Sequence, residues 1–475
     1  MNAHVETTEQ IQLTSLLARL RASFLRDDAP SLAQRKADLK KLKTALLARR
    51  GEFAKAINSD FGHRSAYETA ILDFVPLIHG INYLTKHVGK WMRPRRRHVA
   101  VHFQPGAARV LYQPLGIIGI MSPWNYPVSL ALMPLATAIA AGNRVMLKPS
   151  EFTPDTNKVL TVMLRETFPE DQVALVDGDA NVGAAFAALP FDHLIFTGST
   201  EVGRSVMRAA SGNLVPVTLE LGGKSPTIIE PGFPFAQAAA SIAFGKLANA
   251  GQTCIAPDYA LVHENDIASF TEEYKQAVQK FYPAGVLDPA YGSIINDRHL
   301  ARLSAMIDDA RRKGASIIEI GPVSAPNRGR ERTLPPTLIL NPTPEMTILQ
   351  EEIFGPILPV VAYRDVDEAI ASVNARPRPL ALYLFAHDRE TRGRVLERTT
   401  SGNVTINDTM LHYAVEDLPF GGVGASGIGA YHGEEGFRTL SHAKGVFEQS
   451  RFNLAGLLRP PFGRIADLVL GYLLR

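Results

Sequence analysis

The chain has 475 residues, 46% of them hydrophobic and 20% charged, with a formal net charge of +3. That length exceeds what one hydrophobic core serves, so two or more domains are expected, and so small a charge gives no sign of a nucleic-acid partner. The single cysteine, Cys254, excludes an intrachain disulfide framework and fits a reducing cytoplasm.

In chain order, residues 1–10 are polar and acidic, unlike a signal peptide. Residues 31–50 read as a helix. Ser31 is its N-cap, Leu32, Leu39, Leu42 and Leu46 share one face, Arg49 and Arg50 suit its C-terminal end, and Gly51 stops it. The basic block 93–98 reads as solvated or subunit-facing surface, and 99–113 as a hairpin around Pro105-Gly106. Buried runs then alternate with helical stretches: 116–121, 128–141, 145–147, 156–167, 173–176, 182–188, 193–196 and a helix from Val202. This is the pattern of a doubly wound α/β sheet. A second α/β block follows Glu220, with strands expected at 317–320 and 358–361. Residues 465–474 are apolar except for Asp467 and Gly471. A bilayer-spanning helix needs about 20 residues, so a docked terminal helix or a subunit contact is expected, with peripheral membrane contact as the lesser reading.

Several runs carry chemistry. Cys254 follows Gly251-Gln252-Thr253, and Glu220 lies upstream in Thr218-Leu219-Glu220-Leu221-Gly222-Gly223-Lys224. A thiol and a carboxylate in Gly-rich turns suggest a sulfur nucleophile with a general base, although a lone cysteine often only fills space. Gly198-Ser199-Thr200-Glu201-Val202-Gly203 joins a buried strand to a helix. Such an N-terminus favours a pyrophosphate, but G-x-T-x-x-G is not the dinucleotide fingerprint and also suits an ordinary turn. Lys148 and Glu151 stand at the carboxyl end of a strand, where ligands bind in open α/β sheets. An acidic residue there accepts ribose hydroxyls and repels a 2′-phosphate, which favours NAD over NADP; a surface ion pair is the alternative. Asn125, in Ser122-Pro123-Trp124-Asn125-Tyr126-Pro127, is placed either to donate to a developing oxyanion or merely to form a turn. Glu352 and Phe354, in Glu351-Glu352-Ile353-Phe354-Gly355-Pro356, offer a carboxylate and a ring for a second ribose and its base. Leu418-Pro419-Phe420-Gly421-Gly422-Val423-Gly424 is a further Gly-rich run.

Taken together, in this order and at these intervals, the runs resemble the aldehyde dehydrogenase superfamily over roughly residues 30–445. Gly251-Gln252-Thr253-Cys254-Ile255-Ala256-Pro257-Asp258-Tyr259 and Gly429-Ala430-Tyr431-His432-Gly433 are similar to its short, dimeric class 3 group. Ser59-Asp60-Phe61-Gly62-His63-Arg64-Ser65, Trp91-Met92-Arg93-Pro94-Arg95-Arg96-Arg97 and Leu189-Pro190-Phe191-Asp192-His193 resemble coniferyl-aldehyde dehydrogenases.

The resemblance implies Cys254 as nucleophile, Glu220 as base for the hydrolytic water, and Asn125 with the Cys254 backbone N–H as oxyanion donors. It implies Lys148 and Glu151 at the adenosine ribose, and Ser199 at the pyrophosphate beside Gly198 and Gly203. It places Glu352 and Phe354 at the nicotinamide ribose and ring, and Trp124 among the cofactor contacts. Trp124, Tyr126 and Phe420 would give an aromatic-lined pocket, and the loop 410–417 is where specificity is expected to differ. The implied cofactor is NAD, with NADP as the alternative, and no metal. The implied architecture is a doubly wound NAD-binding domain (1–97 and 118–219), an α/β catalytic domain (220–426) and oligomerisation elements including a small β hairpin (98–117 and 427–475). The partner is a small-molecule aldehyde, with no nucleic acid and no integral membrane segment, in a cytoplasmic homodimer. The substrate expected is coniferyl aldehyde or a related aromatic aldehyde, with a medium- or long-chain aliphatic aldehyde as the alternative. A thioester-forming acyl-CoA reductase and a non-catalytic NAD-binding protein are the rival classes.

Overall fold

Ser31 caps the helix Leu32–Ala48, its side chain accepting the Gln34 N–H at 3.2 Å. Leu39, Leu42 and Leu46 are fully buried on its inner face, whereas Leu32 is 37% exposed and lies off that face. Gly51 does not stop the helix. The chain breaks at Arg49 (φ −104°, ψ 13°), and the next helix, Arg50–Phe61, runs through Gly51 and ends at Gly62, whose φ is +78°. Only the second glycine meets the left-handed geometry that makes glycine a terminator. The computed structural model covering these elements describes residues 8–322, 330, 332–453 and 459–474. The start of the polar N-terminal run, residues 1–7, lies outside the described residues.

Two parallel-sheet units follow, and the fold is mixed α/β with Rossmann-like sheets. The first sheet has six strands in the order Gly427–Ile428, Val217–Glu220, His193–Thr197, Ile117–Met121, Arg144–Lys148, Val173–Leu175. All its pairs are parallel except Gly427–Ile428 with Val217–Glu220. Helices Ser129–Ala141, Pro154–Thr167, Ala180–Ala187 and Thr200–Ser211 connect or follow its strands. Covering helices make its central strands near-continuous buried runs. The helix expected from Val202 begins at Thr200 because Ser199 caps it.

The second sheet has seven strands, Ser316–Glu319, Thr337–Leu340, Ile357–Tyr363, Tyr259–His263, Pro226–Ile229, Ala381–Phe385 and Asn403–Ile406 in spatial order, antiparallel only at the first pair. The strands expected at 317–320 and 358–361 are its first and third members. Glu220 closes a strand of the first sheet, and Pro226 opens a strand of the second.

A three-stranded antiparallel sheet joins Arg95–Arg97, Ala107–Pro114 and Ser441–Glu448. The hairpin expected at 99–113 therefore starts earlier, inside the basic block, and Val101–Phe103 is a 3-10 turn. Arg95 is not simply solvated: it pairs with Glu434 and lies 5.8 Å from the Tyr112 ring centre. The terminal helix Arg464–Leu473 buries Ala466 but leaves Ile465, Leu468 and Tyr472 exposed, so within one chain it docks only along a narrow stripe. Among the described residues no helix is long and apolar enough to cross a membrane.

Candidate active site

The turn that carries Cys254 is built from backbone strain. After the helix Phe235–Leu247, Asn249, Ala250 and Gly251 all have positive φ, at 52°, 52° and 77°. Two non-glycine residues there cost free energy that the surroundings must offset. A Cβ on Gly251 would lie 2.2 Å from the Gly355 carbonyl oxygen, so only glycine fits. The buried Gln252 side chain donates to the Asn249 and Ser293 carbonyls (2.9 and 3.0 Å) and accepts the Ile295 N–H (2.9 Å). Thr253 shares a hydrogen bond with the Tyr126 hydroxyl at 2.6 Å, and the Tyr383 hydroxyl donates to the Ile255 carbonyl. Both flanks of Cys254 are thus pinned, while Cys254 itself stays partly exposed.

Cys254 and Glu220 line one cavity of about 310 Å³, whose walls include Tyr126, Tyr413 and Phe420. Neither carboxylate oxygen of the buried Glu220 has a hydrogen-bond partner. Burial raises its pKa well above the usual carboxylate range. The Cys254 thiol is pushed up to about 12, by burial first and then by the negative charges of Glu352 and Glu220, against the backbone N–H groups of Cys254 and Ile255. At neutral pH the resting sulfur is therefore a thiol. Its cavity also holds an unpartnered carboxyl group with raised proton affinity, the property a general base needs.

Asn125 is buried and stands behind the Cys254 turn. Its Nδ2 donates to the Gln252 carbonyl at 3.1 Å, which occupies one of two amide protons. The residues that enclose the cavity do not include it.

Lys148, Glu151, Gly198, Ser199 and Trp124 meet in a separate groove of about 490 Å³. The Lys148 ammonium is 3.6 Å from Glu151 and donates to the Pro149 carbonyl at 3.2 Å. Ser199 Oγ accepts the Val202 N–H at 3.3 Å. Gly203 packs so tightly that a Cβ would lie 2.7 Å from Leu221 Cδ2. A cation, a carboxylate and a helix N-terminus in one groove fit the phosphates and ribose diol of a dinucleotide. Thr197 lines both groove and cavity, so the two share a wall.

The remaining expected cofactor residues do not all reach this groove. Glu352 opens onto a neighbouring one of about 750 Å³, beside Thr200 and Arg204. Its carboxylate lies against the Gly222 backbone, where a Cβ would be 2.1 Å from Oε1. Its pKa is raised to about 7, by burial first and then by Asp258. Phe354, at φ +51°, sets its ring edge-on to Trp124 at 5.4 Å. Trp124 also packs on His299 at 5.2 Å. Of the three aromatics expected in the pocket, Tyr126 and Phe420 line the cavity, whereas Trp124 lines the groove, so the loop 122–127 contributes to both.

Two features were invisible to sequence reasoning. Lys224 pairs with Asp258, and its ammonium also donates to the Ile348 and Glu351 carbonyls, both at 2.8 Å. The other Asp258 oxygen accepts the Ile353 N–H at 3.0 Å, so this pair ties the Glu220, Cys254 and Glu352 runs together. The cavity mouth includes Ile71 and Val75, which are 53% and 46% exposed. The loop 410–417 contributes Met410, Leu411, Tyr413 and Ala414 to the cavity. No cluster of metal-ligating side chains occurs among the described residues.

The profile of the Aldehyde dehydrogenase family matches residues 3–446. The chain belongs to that family. This aldehyde dehydrogenase is 53% identical over 453 residues, 95% of its length and 94% of the relative's, to a protein of Pseudomonas aeruginosa named probable coniferyl aldehyde dehydrogenase. It superimposes on the substrate-bound state of Staphylococcus aureus AldH with a TM-score of 0.91 at 36% identity, covering 97% of this chain and 99% of that one. A Mycobacterium tuberculosis aldehyde dehydrogenase solved with NAD+ gives a TM-score of 0.85 at 28% identity, covering 94% and 92%.

Proposed function

We propose that this aldehyde dehydrogenase oxidises coniferyl aldehyde or a related aromatic aldehyde to the acid with NAD, through a covalent intermediate on Cys254. The observation that carries the chemistry is Cys254 and the unpartnered Glu220 on the wall of one cavity. When bound, the oxidised nicotinamide supplies the hydride acceptor and a positive charge. Lys148, Glu151 and Ser199 would hold the adenosine side and Glu352 and Phe354 the nicotinamide side.

Cys254 gives its proton to solvent, its sulfur adds to the carbonyl carbon, and the C=O π pair moves onto oxygen, giving a tetrahedral thiohemiacetal oxyanion. The Cys254 backbone N–H opposes the oxyanion charge, together with the one Asn125 amide proton not given to Gln252. Loss of hydride leaves a thioester on Cys254. Glu220 takes a proton from water, the hydroxide adds to the thioester carbon, and the C–S bond breaks to release the acid and the thiolate. The raised proton affinity of Glu220 suits it to that step.

Aromatic selectivity is supported by the Tyr126, Tyr413 and Phe420 walls and by the name of the Pseudomonas relative. The aliphatic mouth at Ile71 and Val75 favours a second reading, a medium- or long-chain aliphatic aldehyde. Comparing kcat/KM for NADH formation with coniferyl aldehyde and with a straight-chain aldehyde decides between them. A preference for the straight chain would overturn the aromatic assignment. Full turnover by Cys254→Ala would overturn the mechanism. We further propose the three-stranded sheet as the homodimer contact, supported by its two outer strands; a monomer by light scattering would refute it.

A further inference from the structure

Arg64 is buried at 1% exposure, with its guanidinium 4.8 Å from the Tyr126 ring centre and 5.3 Å from that of Phe61. It makes three polar contacts. Nη1 donates to the Asn125 main-chain carbonyl at 2.9 Å, Nη2 lies 3.2 Å from Asp73, and Nε lies 3.8 Å from Glu68. Each acid then reaches a catalytic loop. Glu68 accepts the Asn249 N–H at 2.5 Å, at the first left-handed residue of the nucleophile turn. Asp73 accepts the Ser129 N–H at 2.9 Å, where the helix after the Asn125 loop begins. The Asn249 side chain closes the circuit by donating to the same Asn125 carbonyl at 3.0 Å.

We infer that Arg64 and Glu68 are positioning residues that lock the Asn125 loop to the nucleophile turn, and so set the oxyanion donors against the Cys254 sulfur. The inference rests on the roles proposed for Cys254 and Asn125. The geometry favours a locking role over general support. The acceptor of the Asn249 N–H and the donor to Asn125 belong to one ion pair, and the turn they hold carries two non-glycine residues at positive φ. The segment that carries them continues as the π-turn Ala70–Phe74 into the cavity mouth, so the lock and the mouth are one piece of chain. π-turns recur at functional sites.

The test is the pre-steady-state burst of NADH, measured per titratable Cys254 thiol. Glu68→Leu should slow the burst by about 10- to 100-fold, the range for a reactive group displaced by about an ångström, with KM for NAD nearly unchanged. Glu68→Gln keeps an oxygen for the Asn249 N–H and should recover most of the rate. Arg64→Lys should slow the burst similarly, and it serves if Glu68→Leu fails to fold. Normal burst rates per thiol in Glu68→Leu or Arg64→Lys, with only stability lowered, would overturn the inference. So would a Glu68→Gln variant as slow as Glu68→Leu. Cys254→Ala run in parallel separates the two levels: if it turns over, the catalytic reading has failed, and if it is dead while Glu68→Leu bursts normally, only the lock has.

Discussion

Replacing Glu220 with glutamine should make the enzyme more stable and almost inactive. The native carboxylate is buried with both oxygens unpartnered, and burial has raised its pKa. A buried unsatisfied polar group costs about 1–3 kcal/mol, more if charged, so a neutral amide in its place should return roughly 1–2 kcal/mol of that once the pH exceeds the raised pKa of the folded state. The sign follows from the direction of the shift. A carboxyl that holds its proton more tightly when folded carries no penalty below its unfolded pKa. The penalty grows as pH rises through the folded value. The variant's advantage should therefore be near zero at pH 4, and full at alkaline pH. Turnover should fall by about 10²–10⁴, the contribution of a general base, with a Cys254 thioester accumulating. Thermal inactivation midpoints at the two pH values, steady-state rates and intact mass after aldehyde and NAD check all three. A variant whose stability relative to wild type fails to rise between pH 4 and alkaline pH, or one turning over within tenfold of wild type without an acyl adduct, would refute the reasoning.

Gly251→Ala should cost more than about 3 kcal/mol, because the added Cβ meets the Gly355 carbonyl at 2.2 Å where φ is +77°; loss of soluble protein or of thiol titre measures it. Lys224→Met leaves Asp258 as an unpaired buried acid and should destabilise by about 3–5 kcal/mol, read from denaturant midpoints. Glu151→Gln removes the carboxylate beside Lys148 and should shift the kcat/KM ratio of NAD to NADP toward NADP; an unchanged ratio would remove Glu151 from cofactor selection.

The parallel sheets were legible because their strands are short aliphatic runs between helical stretches, as in Ile117–Met121 and Arg144–Lys148. Ser31 was legible because a cap acts on its own helix. Gly51 misled because its own backbone stays helical, and the left-handed turn that ends this run falls at Gly62. At the site, residue types could be matched to chemistry, and Cys254 and Glu220 do share a cavity. Where Glu352 and Trp124 open could not be read, because the packing of loops from different sheets decides it. The Arg64 circuit was hidden for the same reason: its contacts join residues 61 and 181 positions apart, and no local pattern marks them.

Glu220 finishes a strand of one sheet, and Cys254 precedes a strand of the other. Neither sheet alone sets the gap between base and sulfur. On the proposed mechanism, attack by the sulfur draws on the pinned Cys254 turn, but hydrolysis also needs the two halves in register. A mild cosolvent or a distant packing defect that tilts one sheet against the other would then stall the enzyme as its acylated form. Thiol reactivity would survive conditions that already stop product release.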